Sequence, residues 1–350
     1  LPIIGTPLQY IVPFIRTPLN IATFALERTP IGLPFFKAQG VPFKTALGRS
    51  MIGTFTAIAV MELVAEGKIT GGGPKQKEAK EALYRTGWQP YSFKPGDKYY
   101  SFNRFEPLGM VIGMAADLKE MIDNKHGKPD REINDLAGEI ALSFSKNLSS
   151  KTFLSGVTST LDALTEPERY GKSWVERFTG SLIPAGVAGL ARAVDPVRRK
   201  TETPMDVWKS RIPGLSTGLS PKLNLWGEPV ERESAGFLSP IAVSTAKHNK
   251  LDSEIVRLRI FKGLPSKKIK DVELSSQDYG NYVIQSGQKA KEILAQRVES
   301  PSWDRMPDEN KIKIIESVID QQREMSRNRI KVQIIQRTGK NPWRPAIGLE

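Results

Sequence analysis

Proline limits what this chain of 350 residues can fold into more than any other feature of its sequence. Its 25 prolines are densest in residues 1–44 and 195–250. Because proline lacks an amide donor and disfavours the helical conformation of the residue before it, neither stretch can form a long helix. We predict an extended arm over 1–44, with a short helix near Leu19–Leu26, and an extended connector over 195–250. Both are expected to make most of their contacts outside their own domain.

Elsewhere, apolar residues recur at helical spacing far more often than in the alternating pattern of strands. Residues 88–102 are the exception, because aromatic side chains flank the turn Lys94-Pro95-Gly96-Asp97 and predict a hairpin. For residues 266–274 the sequence is compatible with a hairpin and with a loop. The predicted fold is mainly α, with multiple short helices, one small aromatic β-hairpin and extended Pro-rich arms. The predicted divisions are the arm (1–44), a helical domain with the hairpin (45–194), the connector (195–250) and a charged helical region (251–350). Helices are predicted over 45–67, 75–85, 108–122, 131–148, 150–164, 250–261, 276–300 and 308–337, and residues 174–193 form a further weakly charged stretch.

The predicted helix over 45–67 carries no charge between Arg49 and Glu62. That apolar stretch is about 12 residues, or roughly 18 Å of helix, against the roughly 20 residues that a bilayer span requires. The length favours a buried core helix over a membrane segment. In the helix over 108–122, Gly109 and Gly113 form a small-xxx-small pattern that allows another helix to approach closely.

The chemistry-bearing residues point away from an enzyme. The chain has no cysteine, which excludes disulfides, thiolate nucleophiles and thiolate metal sites. Its two histidines, His126 and His248, stand in no recognisable catalytic or metal motif. The glycine run Gly71-Gly72-Gly73 lacks the Gly-Lys-Ser/Thr of a phosphate loop and predicts a turn. We therefore expect no catalytic residue, no cofactor and no metal in this chain.

The net charge of +13 favours nucleic acid, anionic lipid or acidic protein as partners. Arg323, Arg327 and Lys331 are spaced four apart, so a helix would carry them along one face. With Arg337 and the Pro-flanked Trp343, they predict a docking site for a partner protein first and for DNA second. A solvated helix face is the alternative interpretation.

Several strings in the first third of the chain resemble large phage internal virion proteins. They are residues 13–21 (PFIRTPLNI), 26–30 (LERTP), 69–74 (ITGGGP), 87–92 (GWQPYS) and 98–109 (KYYSFNRFEPLG). Such strings are similar to the C-terminal region of very long phage proteins, sometimes called large polyvalent proteins. The resemblance implies a protein carried in the capsid and released with the genome, with any peptidoglycan-cleaving domain elsewhere in the chain. The last hundred residues show no such resemblance.

The chain begins at Leu1 without an initiator Met or a signal segment, and we expect a piece of a longer polypeptide. The expected function is that of a structural component of a phage virion, an internal core or ejection protein that assembles near the portal. Its expected partners are portal or other internal virion proteins and further copies of itself, with DNA and, after ejection, the host membrane as further expected contacts. The expected location is the virion interior and later the host cell envelope. Two alternatives stay open: a membrane-inserting pore segment that acts after ejection, and a non-catalytic part of a larger peptidoglycan-degrading virion enzyme.

Overall fold

The computed structural model describes residues 20–34, 40–124, 138, 142–143, 166, 168–171, 185–232 and 241–343. The chain divides into two compact units, each assembled from separate stretches of sequence. The N-terminal unit takes residues 1–74, 88–184 and 233–246, and the C-terminal unit takes 75–87, 185–232 and 247–350. This division differs from the predicted consecutive segments, because residues 75–87 and 185–232 cluster with the C-terminal helices.

The predicted mainly α fold is confirmed. The helices are α1 (Phe43–Ala65), α2 (Lys77–Arg85), α3 (Leu108–Asn124), α4 (Ala185–Val194), α5 (Pro204–Lys209), α6 (Lys250–Arg257), α7 (Ser276–Val298), α8 (Pro301–Asp304) and α9 (Asp308–Thr338), with a 3₁₀ turn at Ser216–Gly218. The strands are β1 (Ser92–Phe93), β2 (Lys98–Ser101), β3 (Val243–Thr245), β4 (Lys268–Ile269) and β5 (Val272–Glu273). The helices predicted over 131–148 and 150–164 lie outside the described residues, apart from 138, 142 and 143.

The core of the N-terminal unit forms where α1 crosses α3. Val60 on α1 packs with Ala115 and Ala116 on α3, and Ile69 after α1 joins the same cluster. The small alanine side chains let the two helices approach closely, which is the role that the sequence suggested for glycines. Gly109 instead makes room for a loop, since a Cβ there would lie 2.6 Å from the carbonyl oxygen of Phe102. Gly113 is buried within α3.

The aromatic hairpin lies where the sequence predicts it. Strands β1 and β2 pair antiparallel, with Phe93 opposite Tyr100, and the turn between them places Gly96 at φ +65°. The structure adds a third strand, since β3 pairs with β2 and sets Ser244 opposite Tyr99. It also resolves the open segment as a second hairpin, β4–β5.

The predicted N-terminal arm is wrong for its described part. Residues 20–26 form a helix, near the short one predicted, and it packs on its own unit. Ala25 is fully buried against Met110 and Met114 of α3. Arg28 approaches α1 so closely that a Cβ at Gly53 would lie 1.9 Å from its carbonyl oxygen. The prolines therefore limit the helix length without keeping this segment extended.

The C-terminal unit is built around the long pair α7 and α9, which α2, α6 and α8 cover. Leu294 and Val298 of α7 meet Ile315 and Ile319 of α9 in a fully buried cluster. Capping fixes where these helices begin and end. Ser275 accepts a hydrogen bond from the Asp278 amide at the start of α7, and α9 ends at Gly339 in the left-handed conformation.

The connector prediction is also wrong over 195–232, because this stretch folds into the C-terminal unit. Isolated bridges join Val197 to Glu231 and Leu223 to Pro229, so the segment returns on itself. At its tip Trp226 is completely buried in the core of the unit. Gly287 of α7 makes this insertion possible, since a Cβ there would lie 2.4 Å from the Trp226 carbonyl carbon.

Candidate functional site

Helix α1 exposes an apolar face along its first sixteen residues, counted from Phe43 to Ile58. Ile52 and Phe55 are each 65% exposed, and the neighbouring large apolar side chains are at least one-third exposed. Most of these exposed apolar residues recur at intervals of three or four residues and therefore form one stripe along the helix. The residues of this stripe, named here the α1 apolar face, are Phe43, Leu47, Met51, Ile52, Phe55 and Ile58.

The length of α1 matches the thickness of a bilayer. Its 23 residues correspond to about 34 Å of helix, against a hydrocarbon thickness of about 30 Å. An 18-residue window of α1 has a mean hydropathy of 1.3, and only 17% of that window is buried. The sequence favoured a buried core helix, and the structure buries only the face of α1 that packs against its own unit.

The opposite face of α1 is held by the rest of its unit. Ala57 and Val60 lie against α3, and Arg49 forms an ion pair of 2.7 Å with Glu27. Lys44 stands beside the α1 apolar face near its start, and Glu62 is exposed near its end. The helix thus has one face fixed to protein and the other face free of described neighbours.

The glycine run binds carboxylates of its own chain. The amides of Gly71 and Gly73 donate to the two carboxylate oxygens of Glu120 at 2.8 and 2.9 Å. The Gly72 amide donates to Asp117 at 2.8 Å, and the Tyr91 hydroxyl donates to the second oxygen of Asp117 at 3.0 Å. The backbone amides of this loop therefore bind anionic groups as those of a phosphate loop do, but the bound groups are the carboxylates of Asp117 and Glu120 on α3.

The predicted basic stripe lies on α9, and its charges meet partners within the same unit. Arg337 forms a bidentate pair with Asp278 at 2.8 and 3.0 Å, which holds the pKa of Asp278 below its usual range. Lys331 stands 5.8 Å from the ring centre of Trp343, whose indole donates to the Ile269 carbonyl at 3.0 Å. Trp343 thus anchors the end of α9 to the β4–β5 hairpin, and its docking to a partner stays a prediction.

The other two stripe residues line a cleft of about 320 Å³ between α9 and the β4–β5 hairpin. One terminal nitrogen of Arg323 donates to the Gly263 carbonyl, and partial burial lowers the pKa of this guanidinium. Arg327 forms an ion pair of 3.0 Å with Glu324. The residues lining this hairpin cleft are Pro265, Ser266, Lys268, Ile269, Tyr282, Asp320, Arg323, Glu324 and Arg327.

Sequence reasoning found the cations of the stripe but missed the cleft that two of them line. Lys268 and Tyr282 come from the β4–β5 hairpin and α7, and no local pattern connects them with α9. The exposure of α1 was missed for a similar reason, since burial depends on which segments cover a helix. The sequence feature that could have indicated this exposure is the scarcity of charged residues on every side of α1.

The described residues contain no group of three or more His, Asp or Glu side chains placed to hold a metal ion. His126 lies outside the described residues, and the described His248 belongs to no such group. Comparison with known protein families, curated proteins and solved structures gives no match to this chain.

Proposed function

We propose that this chain is a structural component of a phage virion, of the internal or ejection class, whose α1 apolar face contacts the host membrane after release. The proposal gives the chain no catalytic step. It locates the protein in the capsid beside portal or other internal proteins, and later in the host cell envelope.

The strings that resemble phage internal virion proteins have structural tasks in the fold, which supports this proposal. Residues 69–74 supply the amides that hold Asp117 and Glu120. Residues 98–109 supply β2 and the start of α3. Strings that serve as turns, strands and amide donors suit an assembly protein better than an enzyme.

The exposed α1 apolar face is the observation that carries the membrane part of the proposal. Six large apolar side chains on one helix face form a patch of the kind that marks a membrane or protein contact. A bilayer suits this face because Lys44, beside it, can extend its ammonium toward lipid headgroups. The net charge of +13 adds attraction to anionic lipids.

Co-sedimentation of the chain with anionic lipid vesicles tests the membrane contact. We expect the unmodified chain to pellet with the vesicles, and the variant Ile52→Asp with Phe55→Asp to stay in the supernatant. The matched control is Val332→Asp, which places the same charge at an exposed apolar residue of α9 and should not change binding. Equal pelleting of the double variant and the unmodified chain would contradict a contact through α1.

Sedimentation without lipid distinguishes a second copy of the chain from a bilayer as the occupant of the face. Concentration-dependent dimers that the double variant abolishes, without vesicle binding by the unmodified chain, would replace the membrane contact with self-association.

The virion part of the proposal has its own test. Cross-linking and mass spectrometry on purified phage particles should find the chain inside the capsid, linked to portal or internal proteins. Its absence from mature particles would refute the structural role, whatever the vesicle experiment shows.

A further inference from the structure

The hairpin cleft is lined by more cations than carboxylates, with Lys268, Arg323 and Arg327 against Asp320 and Glu324. Lys268 is exposed, and neither Lys268 nor Arg323 forms an ion pair with a described carboxylate. The Nε of Arg327 is buried and donates to no atom. The Tyr282 hydroxyl also forms no hydrogen bond with the described residues. A ligand carboxylate in the cleft would attract the exposed Lys268 ammonium and the Arg323 guanidinium together.

The two acidic residues of the cleft form ion pairs with neither Lys268 nor Arg323. Asp320 pairs with Lys262 at 2.9 Å, and Glu324 pairs with Arg327 at 3.0 Å. Each carboxylate therefore already has a cation of its own. Arg323 and Lys268, on opposite walls of the cleft, interact with Asp320 and Glu273 only at longer range, because each of these carboxylates already forms an ion pair with another lysine.

We propose that the hairpin cleft binds a carboxylate side chain from an acidic peptide segment of a partner protein. Arginine and lysine bind carboxylates through charge-assisted hydrogen bonds, and a guanidinium adds directional donors. The volume of about 320 Å³ lies at the small end of ligand pockets, which suits one or two side chains. Ile269 and Pro265 offer an apolar wall for a neighbouring aliphatic residue. A nucleic acid presents its phosphates on a wide, convex backbone, which fits this recess less well than a protruding glutamate does.

This site goes beyond the proposed function and does not depend on it, since an acidic segment can bind the cleft whether or not α1 meets a membrane. The probe is a fluorescein-labelled peptide that alternates glutamate with leucine, titrated into the full chain by fluorescence polarisation. We expect saturable binding that Lys268→Gln and Arg323→Gln each weaken by about tenfold, the loss of one charge-assisted contact.

The matched control is Arg329→Gln, which removes one exposed positive charge from α9 away from the cleft. It should change the affinity by less than about twofold, as expected for a distant surface charge. Because Arg323 also bonds the Gly263 carbonyl, circular dichroism checks that its variant is folded. Lys268 is exposed and makes no such bond, so its variant decides the question if Arg323→Gln unfolds.

Four results would overturn the proposal. The first is the absence of saturable binding, and the second is equal binding of a peptide with glutamine in place of glutamate. The third is an equal loss of affinity in Arg329→Gln and Lys268→Gln. The fourth is stronger competition by inorganic phosphate or oligothymidylate than by unlabelled peptide. The last result would make the cleft a phosphate site.

Discussion

The buried ion pair between α2 and α6 gives the sharpest prediction about what holds the C-terminal unit together. Arg85 donates to Asp252 at 2.7 Å, and these side chains are 9% and 5% exposed. The indole of Trp226 donates to the same oxygen of Asp252 at 3.0 Å. One carboxylate thus joins α2, the connector and α6.

We predict that Arg85→Met lowers the free energy of unfolding of the C-terminal unit. Removing one partner of a buried pair costs about 3–5 kcal/mol, because the remaining charge is left uncompensated. Asp252 keeps the indole of Trp226, so we expect a loss near 3 kcal/mol. Adding Asp252→Asn removes the unpaired charge and should recover about 1–2 kcal/mol, since the asparagine oxygen still accepts from the indole.

Urea unfolding followed by tryptophan fluorescence measures these changes, because Trp226 and Trp303 are both almost fully buried in this unit. The control is Lys289→Met, which breaks an exposed pair with Glu292 and should cost no more than about 1 kcal/mol. Equal losses in Arg85→Met and Lys289→Met would refute the argument from burial.

Three further predictions concern single sites. Asp117→Ala should destabilise the N-terminal unit by about 2–5 kcal/mol, and Asp117→Asn by less than half of that, because the asparagine oxygen can still accept from the Gly72 amide and its NH2 group can donate to the Tyr91 hydroxyl, whereas alanine can do neither; equal thermal shifts would contradict this. Arg337 lowers the pKa of Asp278 in the folded chain. This pair therefore stabilises the C-terminal unit fully at pH values above the ordinary aspartate pKa of about 3.9, and its contribution is lost as the pH falls through the lower pKa of the folded state. Arg337→Gln should therefore flatten the loss of stability in acid titrations, and an unchanged profile would contradict it. Gly287→Ala should cost about 1–3 kcal/mol by pressing on Trp226, whereas Gly280→Ala on the same helix, with open space around it, should stabilise slightly; denaturation curves that shift alike would sink this explanation.

Local signals in the sequence were enough to predict α1, α3, α7, α9 and the aromatic hairpin. The helix predicted over 308–337 corresponds to α9 at Asp308–Thr338. It was predictable because its periodic apolar residues and the glycine that ends it, Gly339, lie within or next to the helix itself. The aromatic hairpin was predictable for the same reason, since its turn and paired strands are adjacent in sequence.

Packing between distant segments was not predictable from local signals. The prolines correctly excluded long helices in the connector, but nothing near Trp226 indicates that Gly287 leaves it room in the core. The α1 helix was predicted, but the exposure of one of its faces was not. Which face is covered depends on α3 and residues 20–34, which are distant in sequence from most of α1. The basic stripe was predicted as a face of α9, yet the cleft beside it depends on Lys268 and Tyr282.

A single environment-sensitive label on α1 tests the central claim most directly. The chain contains no cysteine, so Phe55→Cys accepts one thiol-reactive nitrobenzoxadiazole dye at a defined position. With anionic vesicles, the emission of this dye should shift to the blue, and a quencher carried on the lipid chains should quench it. The same dye at Gln336→Cys, an exposed position on α9, should respond to neither. An unshifted, unquenched dye at position 55 in the presence of vesicles would contradict the membrane contact of α1.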